Sequence, residues 1–197
     1  MNQNKITVLR HEGIDFKKAK QAFNLSDQEA ERTFKDGGFL SPLSECWCAD
    51  LFICDMLRKG KKGYDLVCIA PGESKGDHYS VKSLTKNTTV HRSEYTGVGR
   101  KCTPEAVKSS LSDAQGFIFV DATRLPTLFY ILIPQKILQQ WHETGKLSKN
   151  GGNVSYKKFY TYLYLERSKI DNEPRGLFPE DILKAYDRPM NRVFSER

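Results

Sequence analysis

Two short apolar runs constrain this chain more than any other feature. They are Gly116-Phe117-Ile118-Phe119-Val120-Asp121 and Thr127-Leu128-Phe129-Tyr130-Ile131-Leu132-Ile133. Each is rich in β-branched and aromatic residues, and each is far shorter than the ~20 apolar residues of a membrane-spanning helix. Runs of this length and composition read as buried strands. A strand that is apolar on both faces must be covered on both sides, which asks for helices around a sheet.

The flanking sequence supplies those helices. Asp15 to Phe34 reads as one or two polar helices, with Ser26-Asp27-Gln28-Glu29 as an N-terminal cap, and Gly37-Gly38 reads as a break. Ser41-Pro42 starts a stronger helix in which Leu43, Trp47, Leu51, Cys54 and Met56-Leu57 recur at helical spacing, closed by Gly60. Two strand-like runs follow, Tyr64 to Ala70 and His78 to Leu84, joined by the turn-rich Pro71 to Asp77 and so paired antiparallel. Thr85 to Lys101 is a polar, basic loop. Thr103-Pro104-Glu105 opens a helix to about Ala114. Beyond the two apolar runs, Gln135 to His142 is helical and ends near Gly145. Lys149 to Asn153 is a loop, and Val154 to Leu165 reads as an aromatic strand from the alternation of Tyr160, Tyr162 and Tyr164. Pro179-Glu180-Asp181 starts a further helix. The expected architecture is α/β: a single domain over residues 1–197, a central mixed β-sheet flanked by helices. Residues 1–40 form a helical N-terminal part, 41–133 the core, and 134–197 recognition and peripheral elements.

With 31 Lys plus Arg against 24 Asp plus Glu, the formal net charge is +7. The excess is not uniform. Residues 58–101 carry 10 basic and 4 acidic side chains, and residues 135–169 carry 7 and 2, while the other segments are slightly acidic. Two basic blocks on an otherwise acidic chain point to a polyanionic partner. The first residues, Met1 to Gly13, contain no apolar core of a signal peptide. Five cysteines, an odd number, fit reduced thiols in a cytoplasm. Cys46, Cys48 and Cys54 lack the paired spacing of a zinc site and read as buried thiols.

Four residues form a constellation with chemistry in it. Glu45 lies on the helix that feeds the first strand of the pair, and Asp65 lies in that strand. Ser80 and Lys82, two apart on the next strand, point to one face. Paired strands stand about 5 Å apart, close enough to set Asp65 beside Ser80 and Lys82. Carboxylates suit Mg²⁺, and a nearby lysine can orient a water and stabilise developing phosphate charge. In these residues, and in the order of elements from Ser41 to Ile133, the chain resembles the PD-(D/E)xK nuclease superfamily, the fold of most type II restriction endonucleases. The resemblance reads Glu45, then Tyr64-Asp65-Leu66-Val67, then Ser80-Val81-Lys82.

The resemblance implies a restriction-endonuclease-like domain and Mg²⁺-dependent, sequence-specific cleavage of double-stranded DNA by a homodimer, without an organic cofactor. It implies that Asp65 and Glu45 hold the metal, that the carbonyl of Val81 touches it, and that Lys82 positions the attacking water. The chain departs from the family at Ser80, where an acidic residue is usual. Glu105, on the following helix, or Glu94, in the basic loop, would supply the missing carboxylate, and Glu105 is preferred because a helix holds it more rigidly. The DNA contacts would come from Lys86, Arg92, Arg100 and Lys101 in the first basic block and from Asn150, Lys157 and Lys158 in the second. Within the same fold a repair nuclease or junction resolvase is the alternative. A non-catalytic DNA-binding protein is the other.

Overall fold

Residues 3–12, 16–22, 24–35, 37–57, 64–84, 87–89, 103–124 and 127–186 are described by a computed structural model. In chain order the strands and helices are β1 (Ile6–His11), α1 (Phe16–Ala22), α2 (Asp27–Lys35), α3 (Gly37–Leu51), β2 (Cys54–Met56) and β3 (Leu66–Cys68). There follow β4 (His78–Ser83), β5 (Asn87–Thr89), α4 (Pro104–Ser112), β6 (Gly116–Asp121) and β7 (Leu128–Pro134). The chain continues through α5 (Gln135–Glu143), β8 (Asn153–Ser155), α6 (Tyr156–Leu165), β9 (Ile170–Asp171) and α7 (Glu180–Tyr186).

The two apolar runs are the centre of the fold. Every residue of β6 and of β7 is buried, and the strands pair antiparallel from Gly116–Pro134 to Asp121–Phe129. Around them a seven-stranded mixed sheet is ordered β2-β3-β4-β6-β7-β1-β9. Strand alternation divides its side chains between two cores. Phe117, Phe119, Phe129, Ile131 and Ile133 pack with Val107 and Leu111 of α4, Trp141 of α5 and Phe159 and Leu163 of α6. Ile118, Val120, Leu128, Tyr130 and Leu132 pack on the opposite face with Ala30 of α2 and Cys48 of α3. Each such large apolar side chain gains roughly 1.5–3 kcal/mol by leaving water. The chain is thus α/β, with a mixed sheet covered by helices on both faces. Among the described residues no helix is long and apolar enough to cross a membrane.

Helix α4 starts as its sequence says. The Thr103 hydroxyl accepts from the Ala106 amide at 3.2 Å, with Pro104 in the first turn. This helix is the crossover between the parallel strands β4 and β6. The antiparallel β3–β4 hairpin also forms as expected, registered Leu66–Tyr79.

Five expectations fail, the smallest of them within the expected loop Thr85 to Lys101, where Asn87–Thr89 is strand β5 paired antiparallel with β8. The stretch 154–165 is not a strand: only Asn153–Ser155 is extended, and Tyr156–Leu165 is helix α6. The residues it buries, Phe159, Tyr160, Leu163 and Tyr164, follow helical spacing, and this face outweighs the β preference of the tyrosines. The helix that was to run to Gly60 stops at Leu51. Ile53 takes a left-handed backbone (φ 52°), and Cys54 to Met56 pair with β3 instead. Gly37-Gly38 begins α3 rather than breaking a helix, so Pro42 lies inside it and forfeits a helical hydrogen bond. Finally, the N-terminal part is not only helical. Ile6–His11 lies inside the sheet between β7 and β9.

Candidate active site

Asp65 precedes β3, and its amide donates to the Tyr79 carbonyl at 2.9 Å. Across the hairpin, Ser80 and Lys82 are registered with Phe117 and Phe119 of β6, so they share the face covered by α4 to α6. Asp65 reaches that same face. Its Oδ2 accepts from the Val81 amide at 2.7 Å and from the Ser80 hydroxyl at 3.0 Å. The Lys82 ammonium donates to Ser80 Oγ at 2.6 Å and to the Val81 carbonyl at 3.0 Å, and stands 3.8 Å from Asp65 Oδ2. Ser80 is buried at 2% exposure, whereas the Asp65 and Lys82 side chains are 10% and 16% exposed. The hydroxyl therefore acts as an internal bridge, and the carboxylate and ammonium are the parts that a solvent-borne molecule can meet. Tyr64 stacks on His78 beside them, ring centroids 3.8 Å apart and nearly parallel.

Glu45 arrives from the other side. Helix α3 packs against β4 on the opposite face, held there in part by Ser44 Oγ, 3.5 Å from Ser83 Oγ. Cys48 lies on the same helix, in the core of that face. Burial pushes its thiol up, and the charges of Cys54, Glu45 and Asp65 push it further, so both carboxylates act on one thiol.

The hard oxygen donors gathered around Lys82 are the Asp65 carboxylate and the Val81 carbonyl. They already share one cation, the lysine ammonium. Mg²⁺ accepts one or two protein carboxylates when waters and substrate phosphate complete its shell, so the donor set fits that ion. Among the described residues no three or more His, Cys, Asp and Glu side chains gather into a metal site of their own.

The structure places Glu105 differently from this cluster. It is exposed on the first turn of α4, lining a groove of about 490 Å³ with Lys108, Gln139, His142 and Lys149. Its carboxyl is held below the usual range by its own backbone N–H and by the Thr103 hydroxyl, the signature of a helix cap. Lys86, Arg92, Glu94, Arg100 and Lys101 lie outside the described residues. In the second basic block, Asn150 is exposed in the turn after α5, and Lys157 and Lys158 are exposed on the first turn of α6. Lys157 pairs with Asp181 at 3.5 Å. Lys146 instead turns inward, 3.1 Å from Glu166 and over the rings of Trp141 and Tyr162.

Sequence reasoning missed a second polar cluster. Asp121 ends β6 at 0% exposure. Its Oδ1 accepts from the Thr123 amide and hydroxyl, at 2.9 and 2.6 Å. Its Oδ2 accepts from Tyr156 at 2.9 Å, from Tyr160 at 2.5 Å and from Arg124 Nε and Nη2 at 3.1 Å. Arg124 also donates to the carbonyls of Gly176 and Leu177. The available signal was a carboxylate closing an otherwise apolar strand, followed three residues later by an arginine.

No protein-family model and no curated protein matches this sequence.

Proposed function

We propose that this chain is a Mg²⁺-dependent, sequence-specific endonuclease of double-stranded DNA, of the type II restriction kind, working in the cytoplasm as a homodimer. The observation that carries this reading is the Asp65–Ser80–Lys82 arrangement. A carboxylate and an ammonium from neighbouring strands are fixed by one buried hydroxyl and left partly open to solvent. The two basic segments support a polyanionic substrate.

In this reading Asp65 and the Val81 carbonyl hold Mg²⁺, with Glu45 as the further carboxylate brought by α3. The bound ion supplies charge stabilisation to the scissile phosphate and the leaving oxygen. Lys82 orients the attacking water and offers its positive charge to the developing phosphorane. Ser80 is a positioning residue: it holds Lys82 against Asp65, doing with a hydroxyl what an acidic residue does elsewhere in the superfamily.

The test is digestion of a defined plasmid. Discrete fragments are expected with Mg²⁺ and none with EDTA. Asp65→Ala and Lys82→Ala are expected to lose cleavage by at least 100-fold while still shifting DNA in a gel. Full cleavage by both variants overturns the assignment. Binding without any cleavage by the native chain favours the non-catalytic alternative. Preferential cutting of branched junctions favours a resolvase.

A further inference from the structure

The β2–β3 ladder holds a pair of thiols that the proposed cleavage does not use. Cys54 and Cys68 are direct partners across the two strands. Just beyond the ladder, the Ile69 amide donates to the Ile53 carbonyl and the Leu57 amide to the Asp65 carbonyl, both at 3.0 Å. These contacts mark 53/69 and 57/65 as hydrogen-bonded positions. Alternation along an antiparallel ladder then makes Asp55–Val67 hydrogen-bonded and Cys54–Cys68 a non-hydrogen-bonded pair. In pairs of that kind the Cα atoms stand about 4.5 Å apart, within the 4.4–6.8 Å span that a disulfide bridges. Both side chains point into the same core, at 7% and 4% exposure, and the Cys54 thiol donates to the Phe52 carbonyl at 3.4 Å.

We infer that Cys54 and Cys68 are a modification site: a cross-strand dithiol that an oxidant converts to a disulfide without moving the backbone. The chain's other cysteines are placed differently. Cys46 is exposed on α3, Cys48 approaches the pair from α3 above the sheet, and Cys102 lies outside the described residues. Burial, the neighbouring Cys68 and Asp55 hold the Cys54 thiol up to about 12, so little thiolate exists at neutral pH and conversion there is slow. The pair sits on β2, the edge of the sheet, where a short ladder must fray to admit a small oxidant. The closed loop spans residues 54 to 68. It contains the first basic residues of the chain's positive block and Asp65 itself.

The probe is diamide, an azo compound. One thiolate adds to its N=N bond, the second thiolate displaces the resulting hydrazine, and the two cysteines give up two protons and two electrons as one S–S bond forms. The full chain is treated at pH 8.5, alkylated, digested and read by mass spectrometry. The expected product is a linked peptide pair containing Cys54 and Cys68, restored by dithiothreitol. The oxidised protein should melt about 5 °C or more above the reduced one, because the unfolded chain is constrained and the native strands are not strained. Cys68→Ala, checked for a native far-UV spectrum, should lose both effects, and Cys54→Ala serves if that variant does not fold. Cys48 as the main partner of either cysteine overturns the inference. So does the absence of an intramolecular link under excess diamide, or an oxidised form that melts no higher than the reduced one. None of these readouts depends on DNA cleavage.

Discussion

Two carboxylates sit on the same face of the sheet, and they are held in opposite ways. Asp121 is sealed. Both of its oxygens are occupied by two tyrosines, a threonine and an arginine, and no part of it meets water. Asp65 is braced at Oδ2 by the Val81 amide and the Ser80 hydroxyl, with the Lys82 ammonium 3.8 Å away, and the pair keeps some exposure. The sealed carboxylate ties β6 to α6 and to the segment before α7, and so has a structural role. The braced one is oriented and still partly exposed, which a site that must receive a ligand requires. A buried charge alone does not distinguish the two, because both have a cationic neighbour. Exposure does: 0% for Asp121 against 10% for the Asp65 side chain.

The contrast is testable by matched truncations. Asp121→Ala leaves Arg124 and two tyrosine hydroxyls without their acceptor. It should cost about 3–5 kcal/mol and lower the melting temperature by roughly 10 °C. Asp65→Ala should cost nearer 1 kcal/mol while removing cleavage. Equal losses of stability would erase the distinction. Next in size, Ser80→Ala removes the bridge between Asp65 and Lys82. About 1 kcal/mol of stability should go, and cleavage should fall far more than DNA binding does. If binding and cleavage fall together, Ser80 does not position the pair.

Alkaline titration sharpens the other side. Burial, and then the Asp121 charge, hold the Tyr160 hydroxyl well above its ordinary value. A group raised on folding contributes stability that is present below the ordinary tyrosine range and lost above it, so denaturation curves should weaken beyond about pH 10. Tyr160→Phe should make that decline shallower by about one proton. The smallest effect lies on the surface. Changing Lys157 and Lys158 to Gln should leave stability within about 0.5 kcal/mol and lower the salt dependence of DNA binding by about one unit per lysine that contacts phosphate.

The sequence made the β3–β4 hairpin legible because its signals are local. A turn-rich link between two apolar runs places Asp65 opposite Ser80 with little else to decide. Helix α4 was legible for the same reason: Thr103 and Pro104 cap it through contacts three residues long. What stayed hidden depends on partners far along the chain. Cys54 to Met56 carry a helical spacing, and only pairing with Leu66 to Cys68 makes them a strand. The tyrosines of α6 alternate as a strand would, and only the core beneath Phe159 and Leu163 selects the helix. Likewise, nothing near Asp121 in sequence announces the two tyrosines that close over it from α6.

Strand β1 has a consequence in time. It is among the earliest segments of the chain, yet its neighbours in the sheet are among the later ones: Thr7 pairs with Leu132, and Ile6 with Ile170. A chain emerging from the ribosome must keep Ile6 and Val8 unpaired until β7, and then β9, have been made. Such distant closures slow folding, because the entropy of bringing the ends together comes before the contacts that reward it. The last strands to dock should therefore be β1 and β9. A nascent chain halted before residue 128 would carry its first strand as an open, adhesive segment, the kind that chaperones hold.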